Sequence, residues 1–431
     1  MEQNTNKVGK HSAPQQVQGE SFFRRLLKKP GVQSFLAALL CIVIGLVVGY
    51  IVLLAIEPSG ASKAIGAVLK NFLARRSSAL RMKQFANTLV KTAPLIMCSL
   101  SILFAYKTGL FNIGAAGQYV LGAGAALYCA LGLELPWYVC LLAAAAAGAL
   151  LGCISGALKA YCNVNEVISC IMLNWISLYA VNSVLKDFCP VGYKDTFTLV
   201  SRNSSALLPS LGLNKVFGSE SATIAIPMAV IIAIIIWVVL EKTKFGYEIK
   251  ATGLNRNAAK YCGMREKRNI ILTMFIAGAL AGIAAAMMFL SGFMEWDINQ
   301  SSVPAMGFNG IAAAFLGGLN PIGAIFSSYF IQHITDGGSS LDTRLYPTQI
   351  SDLISSLIIY LCGFVLFFKL RTEKTKNKRQ RPNRQRWEQK QRRNKTDDAF
   401  DSIHARFFVR FAACRTRRLL FGTLGHYQHR A

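Results

Sequence analysis

The stretch TIAIPMAVIIAIIIWVVL, from Thr223 to Leu240, decides the fold of this 431-residue chain. It contains no charged side chain and is about as long as a helix must be to cross the ~30 Å hydrocarbon core of a membrane. Val32–Ile56 and Ile350–Leu370 have the same character. Because 53% of the residues are hydrophobic and the mean hydropathy is +0.38, we expect an integral membrane protein.

Similar apolar stretches recur along the chain and predict an all-α fold. The expected architecture is a polytopic transmembrane bundle of about ten helices, some of them short or broken. We place the crossings at residues 32–56, 87–106, 113–133, 136–160, 165–185, 223–241, 270–294, 303–318, 321–335 and 349–370. Residues 303–318 and 321–335 are short and glycine-rich, so we expect half-helices or a re-entrant pair there.

Basic residues indicate which segments face the cytoplasm. The N-terminal segment 1–31, the loop 242–268 and the tail 371–431 are basic. Ten crossings put them on one side, so both termini are expected in the cytoplasm, as the positive-inside rule requires. The loop 57–84 is then external despite its six basic residues, and we expect a short surface helix there. Residues 186–222 form the expected main external loop.

The net charge of +26 at first suggests a nucleic-acid-binding protein, but its distribution argues against one. Residues 369–431 hold 19 Lys and Arg against 5 Asp and Glu, so this tail alone accounts for +14. The other basic clusters flank apolar stretches, where membrane proteins carry them. We therefore expect contact with membrane lipids and no nucleic-acid partner.

The sequence shows no motif that indicates catalysis, metal binding or nucleotide binding. The eleven cysteines are scattered through apolar segments without the spacing of a metal or disulfide site. No nucleophile–base constellation occurs, and no GxxxxGK[ST] loop is present to hold a nucleotide. We expect no enzyme activity and no cofactor bound by this chain. If ATP drives its function, another subunit must hydrolyse the ATP.

Small residues predict where helices pack closely. Gly148, Gly152 and Gly156 repeat every four residues, and Gly278 and Gly282 do the same. Such repeats place glycines on one helix face and allow two backbones to approach in lipid. The alternative is the general enrichment of glycine in membrane helices, but the threefold repeat favours packing.

Polar residues in or beside apolar stretches are candidates for a solute pathway, because burying a hydrogen-bonding group in hydrocarbon is unfavourable without a partner. The candidates are Asn112, Gln118, Glu166, Asn174, Trp175, Asn309 and Asn320. For Glu166 an alternative is open: Asn163 or Asn165 caps the helix, and Glu166 lies in its first turn. Neutral amides predominate, which suits an uncharged solute such as a sugar or a nucleoside.

The loop 242–268 carries a second candidate site. Asn255 is placed to cap a short helix containing Ala258 and Ala259, and Gly263 is placed to end it. With Gly253, these residues predict a compact element suited to docking a motor subunit. The alternative is a solvated basic loop that meets lipid headgroups.

Dispersed motifs resemble one transporter family. TAPLI (92–96), GLFNIGAAGQ (109–118), VNEVI (164–168), the segment from Gly253 to Gly263 and GGLNPIG (317–323) occur in the family's order. The chain from about 30 to 370 is similar to membrane permease subunits of ABC importers of the branched-chain amino acid and simple sugar group. Its nearest branch takes up nucleosides with basic-membrane-protein-type lipoproteins. Lys107 and Ala116 depart from the pattern, which often has Arg and Glu there.

The resemblance implies a set of partners and a location. They are an ABC ATPase that docks on residues 242–268, a second homologous permease, an extracellular substrate-binding lipoprotein and a small-molecule solute. It further implies a bacterial inner membrane protein whose 32–370 domain forms half of the pathway, for a purine nucleoside first and a simple sugar as the alternative. A secondary transporter or channel with a similar number of helices is the alternative outside the family.

The tail 371–431 has no counterpart in the resemblance. One interpretation is a disordered basic tail. The other comes from the genetic code: shifted by one base, Gly422–Ala431 permits Glu-Arg-Ser-Gly-Ile-Ile-Asn-Ile-Ala, which resembles the segment 109–114. The end of the chain would then be an out-of-frame reading of a sister permease gene. The nucleotide sequence distinguishes the two.

Overall fold

The computed structural model describes residues 30–74, 77–188 and 199–338, together with 356–357 and 360. These residues all lie in one compact unit, Met1–Leu366. The predicted tenth crossing (349–370) falls almost wholly outside the described residues. The tail 371–431 and nearly all of the N-terminal segment 1–31 also lie outside them.

The described part of the chain is helical and forms no β-strand, which confirms the predicted all-α fold. The helices before the loop at 186–222 are α1 Pro30–Ile56, α2 Ala61–Lys70, α3 Ser78–Lys107, α4 Ala115–Leu131, α5 Trp137–Cys162 and α6 Glu166–Leu185. Within and after that loop they are α7 Leu199–Arg202, α8 Leu213–Phe217, α9 Ala225–Lys242, α10 Lys244–Leu254, α11 Arg256–Tyr261, α12 Glu266–Phe289, α13 Ala305–Leu316 and α14 Pro321–Gly338.

A helix therefore stands at nine of the ten predicted crossings. Five helical stretches are long and apolar enough to cross a membrane: Ser78–Lys107, Trp137–Cys162, Glu166–Phe188, Ala225–Lys242 and Glu266–Phe289. Helix α13 has 12 residues, so it is only about 18 Å long. This is short of the ~30 Å hydrocarbon thickness and agrees with a half-helix at 303–318, whereas α14 has 18 residues, is about 27 Å long and does not fit the half-helix expected at 321–335.

Helices α3 and α12 form the centre of the bundle. Helix α12 contacts α3, α4 and α5, while α3 also contacts α9, α13 and α14. Most of the second half of α3 is buried, from Thr92 to Ala105, and so is most of α12 from Ala277 to Phe289. A helix that is apolar on all sides is typical of such a central position.

The predicted glycine repeats meet each other across α5 and α12. A Cβ atom built at Gly148 would overlap the carbonyl oxygen of Gly278, and one at Gly152 would overlap that of Met274. In the same way, a Cβ at Gly282 would overlap the carbonyl oxygen of Ala144. The two backbones are in direct contact, which confirms the packing prediction and explains why no larger residue fits there.

The basic segments lie at opposite ends of α3. Helix α2 adjoins the Ser78 end, and its small apolar face (Ala61, Ala64 and Val68) is buried against the bundle while Lys63 and Lys70 are exposed. This confirms the predicted surface helix. Helices α10 and α11 lie at the other end, where Gly253 packs on the backbone of residues 107–109.

Candidate functional site

Two buried amides form a reciprocal pair between the α3–α4 linker, which holds Asn112, and the first turn of α4, which holds Gln118. The Nδ2 of Asn112 donates to the Oε1 of Gln118 (2.9 Å), and the Nε2 of Gln118 donates to the Oδ1 of Asn112 (3.2 Å). Asn112 also donates to the hydroxyl of Ser101 (3.1 Å). Asn112 is 1% exposed and Gln118 is fully buried. Both side chains therefore bond to protein groups and shape the start of α4.

Asn174 of α6 joins this network from the neighbouring helix. Its Oδ1 accepts a hydrogen bond from the backbone N–H of Gly117 (2.8 Å), and its Nδ2 donates to the carbonyl oxygen of Ile113 (3.2 Å). A Cβ at Gly117 would overlap the Asn174 side chain and backbone, so glycine is required there. Asn174 thus satisfies one of the free N–H groups at the start of α4.

Glu166 lies at the start of α6 in a capped first turn. The Oδ1 of Asn165 accepts from the N–H of Val167 (2.9 Å), as one of the two sequence interpretations expects. The carboxylate of Glu166 pairs with Lys159 at the end of α5 (2.8 Å). The pair closes the short α5–α6 connection.

The remaining predicted pathway residues are dispersed. Trp175 is 40% exposed and stacks on Tyr179 at 6.1 Å between ring centroids, with 24° between the planes. Asn309 lies half-buried on α13, close in sequence to Gly307, which packs on the backbone of Ala116. Asn320 is exposed and caps α14, because its Oδ1 accepts from the N–H of Ile322 (2.9 Å). The structure therefore unites Asn112, Gln118 and Asn174 and places Glu166 and Asn320 at separate helix starts.

An apolar groove of about 300 Å³ opens between α4 and α6 on the far side of this network. Its lining residues are Leu121, Gly124, Ala125, Tyr128, Cys129, Ala180, Val181 and Val184. These side chains offer almost no hydrogen-bonding groups, so the amide network supplies the polar connection between the two helices.

The predicted docking element has the expected local structure. The Oδ1 of Asn255 accepts from the N–H of Ala258 (3.1 Å) and caps α11, and Gly263 follows the helix with a φ of +79°. Two large apolar side chains flank α11: Leu254 is 88% exposed and Tyr261 is 94% exposed. The capping prediction is confirmed, whereas the role in docking stays a prediction.

An ion pair that the sequence analysis did not predict joins α3 to α14. The Nζ of Lys91 lies 2.8 Å from the Oδ1 of Asp336, and the Nε2 of Gln332 donates to the same oxygen (3.1 Å). Lys91 also lies over the ring of Phe293, 5.4 Å from its centroid. One signal was available: a lysine within one predicted crossing and an aspartate one residue beyond another need partners in a membrane.

No cluster of three or more histidine, cysteine or acidic side chains suitable for a metal ion occurs among the described residues. The arrangement offers buried amides, ion pairs between helices and exposed aromatic rings. Exposed aromatic rings are able to stack on a planar solute.

Comparisons with known proteins place the chain in a transporter family. Residues 84–363 match the family described as "Branched-chain amino acid transport system / permease component". The chain is 32% identical to the guanosine ABC transporter permease protein NupP of Bacillus subtilis, over 76% of this chain and 92% of NupP. It is 30% identical to NupQ, a second guanosine ABC transporter permease protein of B. subtilis, over 56% of this chain and 77% of NupQ.

A sugar permease is also similar. The glucose ABC transporter permease protein TsgB13 of Haloferax volcanii is 30% identical over 65% of this chain and 76% of its own length. The matched family covers well over half of the chain, and the relatives are named as permease proteins of ABC transporters. This chain is a membrane permease subunit of the branched-chain amino acid transport system permease family.

Proposed function

We propose that this permease forms half of the translocation pathway of an ABC importer for a purine nucleoside. The observation that carries the proposal is its similarity to the guanosine permease NupP over 92% of that protein's length. The chemistry of the interior agrees, because its buried polar side chains are neutral hydroxyls and amides, with Asp336 the one buried charged residue among the described residues. The charged pair Lys91–Asp336 is mutually compensated and leaves no net charge to bind an ionic solute.

This proposal assigns solute contact to only some of the predicted pathway residues. Trp175 with Tyr179 offers a flat aromatic surface on which a purine ring can stack, and Asn309 offers an amide that makes no hydrogen bond to the described residues. Asn112, Gln118 and Asn174 bond to one another or to the backbone and hold the helices around the pathway. Glu166 and Asn320 stabilise helix starts at its boundary.

The proposal includes partners and an orientation. A separate ABC ATPase docks on residues 242–268 and hydrolyses ATP, a sister permease completes the pathway, and an extracellular lipoprotein delivers the solute. The Lys107 end of α3 and both termini then face the cytoplasm of a bacterium. The exposed Leu254 and Tyr261 support this, since large apolar side chains outside a membrane commonly anchor a protein contact.

Transport by reconstituted protein tests the proposed function. The permease, its sister, the ATPase and the lipoprotein are placed in liposomes, and uptake of labelled guanosine is measured with and without internal ATP. We expect ATP-dependent uptake that unlabelled inosine inhibits and glucose does not. Inhibition by glucose alone would favour the sugar alternative that the TsgB13 similarity supports. Uptake that an uncoupler abolishes, and ATP depletion does not, would favour a secondary transporter.

Docking is tested separately on the exposed apolar anchors. We expect Leu254→Ala combined with Tyr261→Ala to weaken binding of the ATPase by about tenfold or more, since truncating one interface hot spot, a class in which Tyr is enriched, costs about 2 kcal/mol or more. Co-purification of the ATPase with the permease measures this. Leu211→Ala is the matched control, because Leu211 is 74% exposed and lies in the segment 186–222. Equal retention of the ATPase by all variants would contradict docking on this loop.

A further inference from the structure

The segment 242–268 touches the bundle through a joint made of two glycine backbones. A Cβ at Gly253 would overlap the carbonyl oxygen of Lys107, and one at Gly109 would lie 3.3 Å from the carbonyl oxygen of Gly253. Gly109 has a φ of +75°, which favours glycine by itself. The end of α10 is thus seated directly on the linker that connects α3 to α4, with no side chain between them.

Polar side chains surround this joint and leave one acceptor without a partner. Asn269 of α12 donates to the hydroxyl of Thr252 (3.3 Å), and the hydroxyls of Thr108 and Thr273 share a hydrogen bond (2.9 Å). The Oδ1 of Asn269 is buried and has no hydrogen-bond partner among the described residues. Such an oxygen is satisfied only by a water molecule or by a shift of its neighbours, which makes the joint the least satisfied polar contact of this segment.

The linker leads from this joint straight to the buried amides. Only two residues separate Gly109 from Asn112, which is held by Gln118 and Ser101. The next residue, Ile113, is held through its carbonyl oxygen by Asn174, which also holds the N–H of Gly117. A displacement of the linker must consequently move the start of α4 and, through Asn174, the middle of α6.

We infer that the linker 108–114 is a lever between the docking segment and the solute pathway, and that Asn112, Gln118 and Asn174 are its positioning residues. This inference rests on the proposed function and assigns these amides to transmission rather than to solute binding. Movement of α10 and α11 reaches Trp175 through Gly253, the linker and Asn174. The hydrogen bonds of the amides keep the register of α4 and α6 while the linker moves.

Transport kinetics separate positioning residues from solute ligands. We expect Asn174→Leu to lower the maximal rate of nucleoside uptake about tenfold and to leave the KM and the preference for guanosine over other nucleosides unchanged. Trp175→Ala, at the neighbouring solute-facing position, is expected to raise the KM instead. A raised KM with an unchanged maximal rate in Asn174→Leu would make Asn174 a solute ligand and overturn the inference.

Hydrogen exchange of the complete transporter gives a second test that needs no solute. In the wild type, ATP with vanadate is expected to change amide exchange in residues 110–118. Gly253→Ala is expected to abolish this change, and the milder Thr252→Val, which removes the bond from Asn269, to reduce it by about half. Gly66→Ala is the matched control, because a Cβ at Gly66 meets nothing within 4 Å.

The two tests fail in distinguishable ways. If the wild type imports no nucleoside but the exchange response is present and lost in Gly253→Ala, the lever stands and the proposed solute is wrong. A wild type without any response to ATP in residues 110–118 overturns the lever. A normal exchange response to ATP in both Gly253→Ala and Thr252→Val also overturns the lever.

Discussion

Two pairs of helices in the same bundle are joined in different ways. Helices α5 and α12 meet through several glycines, and their backbones are in contact along the seam. Helices α4 and α6 make a glycine-to-backbone contact at Gly117, where the Asn174 amide also connects the start of α4 to the middle of α6, and beyond it an apolar groove of about 300 Å³ opens between them. Lipid provides no hydrophobic drive for helix association. The first pair therefore relies on close van der Waals packing and the second on hydrogen bonds between helices.

The difference assigns the pairs different mechanical roles. Close backbone packing depends on many short contacts, all of which are lost together when the helices slide, so the α5–α12 pair is expected to be rigid. In the α4–α6 pair the Asn174 amide and the contact at Gly117 keep the helices in register at one point, and the groove beyond this point is free to change shape. The fixed frame of the permease is therefore expected in α5 and α12, together with the part of α4 where a Cβ at Gly122 would overlap the backbone of Gly282, and its moving part in α6 and the start of α4.

The largest effect is expected when one methyl group is added to the seam between α5 and α12. Gly282→Ala places a Cβ on the carbonyl oxygen of Ala144, and a backbone atom cannot rotate away. We expect a loss of about 3 kcal/mol of stability, at the upper end for overpacking. Thermal unfolding in detergent measures it. Gly66→Ala serves as the control and should unfold at or slightly above the wild-type temperature, because alanine favours a helix interior and its Cβ meets nothing within 4 Å. An unchanged unfolding temperature in Gly282→Ala would contradict a rigid seam.

The amide joint is tested next. Asn174→Leu leaves the N–H of Gly117 and the carbonyl oxygen of Ile113 without their partner. We expect a loss of about 2 kcal/mol, since unpaired buried groups typically cost 1–3 kcal/mol, with the protein still inserted in the membrane. Unfolding temperature and uptake are both measured, and both should fall. Normal uptake by this variant would remove Asn174 from the pathway altogether.

A glycine substitution in the α4–α6 pair allows the rigidity of the two helix pairs to be compared directly. In Gly124→Ala the added Cβ meets the methyl groups of Val181 rather than backbone. A side chain beside a groove can shift, so we expect a loss of only about 1 kcal/mol. Comparing unfolding of Gly124→Ala and Gly282→Ala is a matched test, because the chemical change is identical. Equal losses would mean that the two seams do not differ in rigidity.

The smallest effect is expected where the two pairs are connected. Lys159 of α5 pairs with Glu166 of α6, and their side chains are 17% and 18% exposed. We expect Lys159→Gln to reduce stability by about 0.5 kcal/mol, because pairs near the surface contribute little. The change should be largest at low salt and shrink as salt is added. A loss above that of Asn174→Leu would show that this ion pair, rather than the amide, holds α6 in place.

The sequence predicted local features and missed those made by distant residues. Apolar length located the helices, and the spacing of Gly148, Gly152 and Gly156 predicted a packing face, because both depend on near neighbours in the chain. The cap at Asn255 was predicted for the same reason. The amide residues were identified, but their partners were not: Asn174 bonds Gly117, which lies 57 residues away.

Contacts between residues that are far apart in the sequence were not predicted. Lys91 and Asp336 are 245 residues apart, and Asn71 donates to the carbonyl oxygen of His333 over 262 residues. Nothing in the local pattern pairs these residues, because the pairing depends on which helices become neighbours. Neighbour relations follow from the packing of the entire bundle rather than from any one segment.

Because α13 is short, the surrounding part of the bundle is a place where water is expected. Between α12 and α13 the chain at 290–304 is not helical, and Asn182 holds it by accepting from the indole of Trp296 (3.0 Å) and donating to the carbonyl oxygen of Gln300 (3.0 Å). Irregular backbone at membrane depth must be enclosed by protein or hydrated. We therefore expect water beside α13 wherever this segment lies within the membrane, and a hydrocarbon layer there that is thinner than the bilayer, because the 12-residue helix is only about 18 Å long.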